Sequence, residues 1–235
     1  MISLRDLKDS IYRDCYFTEV SHSIRVTNEE NPSATPVLKC VDLHTSGTFI
    51  QIANGLLKEG ADIFQKEDKK KGRISFRRDC DGICFWDAND GRRLLLFSEV
   101  KSGFNLIKEK GFEQLVASYI KIRCLLHTID TYQSKDIEEI ALLFSYPPQS
   151  KPEITNKDVF ASKTQIVAPS SIDTANNRYA TALRVDHEAT IDLYDYHVNQ
   201  CHINPSLYNR TLKVIHVTVE NAAESHVLDL DSLIF

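Results

Sequence analysis

Hydrophobic and polar positions along this chain alternate between two periods. Leu4, Leu7, Ile11 and Tyr12 fall at helical spacing, so residues 2–13 predict a short amphipathic helix. The pattern then breaks at Asn28-Glu-Glu-Asn-Pro32 and Thr35-Pro36, with strands predicted at 19–26 and 37–43. Ser46 or Thr48 reads as the cap of a second helix that carries Phe49, Ile52, Ala53, Leu56 and Leu57 and ends near Gly60. Ile74 and Phe76 mark a strand starting near Arg73. Two apolar runs follow, Ile83–Trp86 and Leu94–Phe97, separated by the turn residues Asn89, Asp90 and Gly91. A long helix is predicted from Asn105 or Gly111 to His127, with Gln114, Ser118 and Lys121 on a polar stripe at i, i+4 and i+7. Residues 137–145 read as a buried strand stopped by Pro147-Pro148. Beyond a polar stretch at 154–177, strands are expected at 179–185, 189–198, 212–219 and 227–235.

The central hairpin carries charge where its apolar run should continue. Leu94-Leu-Leu-Phe-Ser leads straight into Glu99-Val100-Lys101, and burying those charges is costly unless they pair or hold a cation. Side chains alternate along a strand, so Glu99 and Lys101 share a face. A three-residue loop of Asn89, Asp90 and Gly91, with Gly91 left-handed, sets Asp81 opposite Glu99. A two-residue loop on Asp90-Gly91 would set Asp81 against Val100 instead. An Asp, a Glu and a Lys two residues after the Glu are what magnesium-dependent phosphodiester cleavage needs.

Composition adds bounds. The 235 residues, 42% hydrophobic and 26% charged, suit one sizeable globular domain. No apolar run approaches the roughly 20 residues of a membrane span. The start carries acids, unlike a signal peptide, so a cytoplasmic location with no membrane partner is expected. Net charge of −5 does not advertise a nucleic-acid binder. Basic residues nevertheless crowd the segment before Asp81, and Lys70, Lys71, Arg73, Arg77 and Arg78 are candidates for phosphate contact. Six cysteines, at 15, 40, 80, 84, 124 and 201, form no CxxC pair or zinc spacing. Cys80 and Cys84, expected on one strand face, read as buried thiols. Cys201-His202 and Asp186-His187-Glu188 raise a His/Cys hydrolase, which their spacing alone does not support.

The order helix, Asp-bearing strand, hairpin, Glu-x-Lys strand, helix, strand resembles the PD-(D/E)xK nuclease superfamily. The likeness covers about residues 46–147 and rests on Asp81, Glu99-Val100-Lys101 and the Gln114-bearing helix. The Pro of the motif is absent, with Cys80 before Asp81. The RecB-type Gln-x-x-x-Tyr is incomplete, because Ser118 stands where Tyr is required and Tyr119 lies about 100° away around the helix.

The resemblance implies an α/β fold, a restriction-endonuclease-like mixed β-sheet core flanked by helices. The expected organisation is a single domain over 1–235, with the nuclease-like core at about 46–147 and a β-rich C-terminal extension at about 151–235. It implies catalytic roles for Asp81, Glu99, Lys101 and Gln114, with Glu59 as a further candidate. Metal ligation falls to Asp81, Glu99 and the Val100 carbonyl. The implied cofactor is Mg²⁺, with Mn²⁺ as a substitute, and the implied partner is nucleic acid, DNA first. A homodimer or a subunit of a larger defence complex fits the same family. The expected function is a metal-dependent nuclease of the restriction or anti-phage kind. The alternative is a nuclease-fold subunit that binds nucleic acid or assembles without cutting. Tyr194, Tyr196 and Tyr208 are further candidates for stacking on bases.

Overall fold

The computed structural model describes residues 4–9, 14–28, 37–61, 76, 79–102, 111–133, 137–146, 164–166, 184–192, 207, 211–220 and 222–233. Among them the chain is a mixed α/β protein built on one sheet. The elements run α1 (Leu4–Lys8), β1 (Phe17–Thr27), β2 (Cys40–Ile52), α2 (Asn54–Ala61), β3 (Gly82–Asp87), β4 (Arg93–Lys101) and α3 (Phe112–Leu126). They continue with β5 (Glu138–Ser145), β6 (Thr164–Ile166), β7 (Arg184–Asp192), β8 (Thr211–Thr218) and β9 (Ser225–Asp229). The strand order is β1-β2-β3-β4-β5-β8-β7-β6, with β9 beside β2. At the centre β4, β5 and β8 run parallel. The hairpin strand β3 is antiparallel to β4, and β7 is antiparallel to β8. The C-terminal strands are thus hydrogen-bonded into the same sheet, β8 onto β5 and β9 onto β2.

Alternation along the strands explains the two cores. Ile83, Phe85, Leu95, Phe97, Ala141, Leu143, Leu212 and Val214 share one face with Leu56 and Leu57 of α2 and Leu115, Val116 and Tyr119 of α3. Cys84, Trp86, Leu94, Leu96, Val100, Leu142, Phe144, Ile215 and Val217 fill the opposite face with Leu228 and Leu230. Parallel strands covered on both faces read as near-continuous apolar runs, as those of β4, β5 and β8 do. Among the described residues no helix is long and apolar enough to cross a membrane.

Several predicted elements change. The helix predicted from Ser46 or Thr48 is a strand as far as Ile52, and only Asn54–Ala61 is helical. Phe49, Ile50 and Ile52 are paired on both sides, by β1 and by β3, so tertiary pairing overrides the helical spacing. Gly47 belongs to that strand rather than to a cap. A Cβ there would stand 2.0 Å from the Asp87 carbonyl oxygen, so the close approach of β3 requires glycine. The last predicted strand, 227–235, is also shorter. β9 ends at Asp229, and a 3₁₀ turn over Leu230–Ser232 follows, its Asp231 carboxylate accepting from Thr45 Oγ1 at 2.7 Å. The strands predicted at 179–185 and 189–198 are met by one described strand, β7, which straddles both.

Candidate active site

The hairpin loop is odd-numbered. β3 and β4 pair from Gly82↔Ser98 to Asp87↔Arg93. Ala88 N–H then bonds the Arg92 carbonyl at 3.0 Å and Gly91 N–H bonds the Ala88 carbonyl at 3.0 Å. Asn89, Asp90 and Gly91 form the loop, and Gly91 takes the left-handed conformation at φ 86°. The ladder ends at Gly82↔Ser98, with Asp81 just before the first paired residue of β3 and Glu99 just after Ser98 on β4. The loop arginines are satisfied locally: Arg92 pairs with Asp90 at 2.7 Å, and Arg93 pairs bidentately with Asp87.

Three charged side chains therefore gather at the carboxyl end of β4. Asp81 is 8% exposed, and Glu99 and Lys101 are both fully buried at 0%. Lys101 Nζ lies 2.5 Å from Glu99 Oε1. The Asp81 carboxylate accepts the Val100 N–H at 2.8 Å. The carboxyl ends of parallel strands are where open α/β sheets place their ligands.

Polar residues continue across the sheet at the same level. Lys101 is in register with Ser145, and Ser145 with Thr218, each the last residue of its strand. Ser145 and His216 are fully buried, with Ser145 Oγ 3.0 Å from His216 Nε2. Ser145 Oγ also donates to the Tyr146 carbonyl at 2.9 Å. Ser145 and His216 were not among the sequence candidates. Ser145 carries the signal that flagged Glu99, a polar residue at the end of an apolar strand, whereas His216 lies between Ile215 and Val217 inside β8.

The segment leading into Asp81 is held by α3. Gln114 Nε2 donates to the Asp79 carbonyl at 2.8 Å. Ser118 Oγ accepts the Cys80 N–H at 2.9 Å. Lys121 Nζ donates to the Phe76 carbonyl at 2.8 Å and is ion-paired with the Asp79 carboxylate. Gln114 thus grips the chain two residues before Asp81. Burial lowers the Lys121 pKa below its ordinary value, and the Asp79 partner offsets part of that. Asp79 is engaged with α3, while Asp81 is the carboxylate that faces β4.

The remaining candidates separate from this cluster. Glu59 is exposed near the C-terminal end of α2. Tyr119 points to the other end of the sheet, where its hydroxyl donates to Glu139 at 2.9 Å beneath an Arg123–Glu139 ion pair of 2.8 Å. Cys80 and Cys84 do not share a face. Cys80 packs in the helix-side core and Cys84 in the opposite one, because regular β3 geometry begins only at Gly82. Both are free thiols raised well above the usual range, by burial in each case and for Cys80 also by the nearby Glu99 charge. Lys70, Lys71, Arg73, Arg77 and Arg78 lie outside the described residues, as do Tyr194, Tyr196 and Tyr208.

Among the described residues, no group of three or more His, Cys, Asp or Glu side chains is arranged to hold a metal ion. Among the described residues, the carboxylates gathered at this end of β4 are Asp81 and Glu99. The chain matches no family model, and no curated protein or solved structure gives a significant match.

Proposed function

We propose that this protein is a metal-dependent phosphodiester hydrolase, a nuclease of the PD-(D/E)xK kind, acting first on DNA. The observation that carries the reading is the convergence of Asp81, Glu99 and Lys101 at the carboxyl end of β4, with Asp81 bonded to the main chain between the other two.

The residues present fit a magnesium ion on chemical grounds. Mg²⁺ takes oxygen ligands and is commonly held by one or two carboxylates, with water and substrate phosphate completing its shell. Asp81 and Glu99 supply the carboxylates. A residue's N–H and C=O leave a strand on the same side, so the Val100 carbonyl leaves β4 towards Asp81, as its N–H does. When bound, the metal would activate a water and neutralise charge on the phosphate.

The chain's own residues do the rest. Lys101 places a fixed positive charge beside Glu99, where negative charge would build on the phosphate as the bond breaks. Val100 N–H orients the Asp81 carboxylate. Gln114 acts through the backbone of Asp79, fixing the approach to Asp81.

The test is Mg²⁺-dependent cleavage of plasmid and of single-stranded DNA and RNA, comparing wild type with Asp81→Asn. Asn keeps an acceptor for the Val100 N–H and loses the charge, so the variant should fold and lose at least about a hundredfold in rate. Equal cleavage by the two proteins refutes the reading. A specific observation favours a second one: Glu99 and Lys101 are fully buried and paired directly with each other. A nuclease-fold subunit that binds or assembles without cutting would keep such a pair. Wild-type binding of DNA without Mg²⁺-dependent cleavage would establish it.

A further inference from the structure

We propose that Lys121 and Ser118 of α3 are positioning residues for Asp81, so that the helix, rather than the sheet, sets the gap between the two carboxylates. The proposal deepens the metal-site reading and rests on it for its functional meaning.

Of the three charged groups, Asp81 alone comes from outside β4. Ladder pairing of β3 begins at Gly82↔Ser98, so no described strand pairing reaches the chain before Asp81. That chain has main-chain donors and acceptors in a buried setting, where each needs a partner. Three of those partners come from one face of α3. Gln114, Ser118 and Lys121, spaced i, i+4 and i+7, meet the Asp79 carbonyl, the Cys80 N–H and the Phe76 carbonyl in turn. Lys121 adds its ion pair to Asp79 and is itself only 1% exposed.

The bonds at Asp79 and Cys80 fall two residues and one residue before Asp81, so little freedom is left between clasp and carboxylate. On the far side Asp81 meets the Val100 N–H. That amide therefore reports where the carboxylate is. It does so whether or not a metal binds or a phosphodiester is cut.

The experiment measures amide hydrogen exchange at Val100 by NMR in wild type, Lys121→Met and Lys121→Arg, with Leu96 on the same strand as the internal reference. Releasing the clasp should accelerate Val100 relative to Leu96 by roughly tenfold or more in Lys121→Met, and Lys121→Arg should restore most of the protection. In the cleavage assay, Lys121→Met should raise the Mg²⁺ concentration needed for half-maximal rate by about tenfold while keeping most of the rate at saturating Mg²⁺. Should Lys121→Met fail to fold, Ser118→Ala removes only the acceptor for Cys80 N–H and is read in the same way. Val100 exchange that stays in step with Leu96 overturns the proposal. A wild-type protein that never cleaves overturns the nuclease reading instead, and the Val100 measurement stands apart from that result.

Discussion

The buried Glu99–Lys101 pair makes a prediction that depends on burial more than on chemistry. Two unit charges 2.5 Å apart attract by about 7 kcal/mol at an effective dielectric of about 20. Removing two such ions from water costs several kcal/mol each, so the net contribution of the pair to stability is close to zero against a well-packed apolar replacement. Deleting one partner is different, because the other charge stays buried without its counter-ion, at a cost of about 3–5 kcal/mol. Glu99→Ala and Lys101→Ala should therefore each lose much of a typical domain stability of about 5–15 kcal/mol. Both variants would lose cleavage for the wrong reason.

The double variant Glu99→Gln/Lys101→Met removes both charges and keeps the volume. It should be less destabilised than either Glu99→Gln or Lys101→Met alone. Urea unfolding followed by far-UV circular dichroism, run as a double-mutant cycle, gives the coupling directly. A coupling above about 2 kcal/mol fits a desolvated pair, and one under about 0.5 kcal/mol matches a solvated surface pair. The second result would refute the burial argument. It follows that Asp81→Asn, which keeps its acceptor and leaves the Glu99–Lys101 pair intact, is the cleaner test of catalysis.

Two glycines separate steric from conformational cost. Gly47→Ala drives a Cβ to 2.0 Å from the Asp87 carbonyl oxygen and should cost about 3 kcal/mol or more, seen as a large fall in Tm. Gly91→Ala meets no atom within 4 Å and has only its φ of 86° to oppose it, so about 1–2 kcal/mol is expected. A larger loss at Gly91 than at Gly47 would contradict the described approach of β2 to β3. His226 supplies the pH dependence. Burial lowers its pKa below 6.5, so the folded state binds fewer protons than the unfolded one. Its contribution to stability is full above pH 6.5 and is lost as pH falls below that value towards the folded pKa. Because the ring is partly exposed, the effect should stay under about 1 kcal/mol. His226→Phe should flatten this part of the urea-midpoint profile between pH 7 and pH 5, and an unchanged slope would count against it.

The hairpin was legible because its signals are local. Gly91 can take positive φ, Asn89 and Asp90 suit a turn, and the register that follows from the loop runs to Gly82↔Ser98. The stretch from Ser46 to Gly60 misled for the opposite reason. Phe49, Ile52, Ala53, Leu56 and Leu57 fit one helical face, yet Phe49 and Ile52 belong to a strand and Leu56 and Leu57 to a helix that starts after it. Only the neighbours β1 and β3, distant in sequence, decide between the two, and no window of spacing contains them. His216 was hidden by the same non-locality: its meaning depends on Ser145, which is 71 residues away in the chain.

The polar stripe of α3 lies between these cases. Its spacing was visible, but a stripe of Gln, Ser and Lys on a helix ordinarily faces water, and here it faces in. The difference lies in what it covers. An apolar helix face would leave the Asp79 and Phe76 carbonyls and the Cys80 N–H buried without partners, at about 1–3 kcal/mol each. The helix therefore carries one polar row where the described residues before β3 have no strand pairing, and apolar residues such as Leu115, Val116 and Ile120 where it covers completed sheet. A buried polar stripe of this kind marks a place where irregular main chain passes beneath a helix. In this protein the irregular chain is the one that carries Asp81 to Glu99.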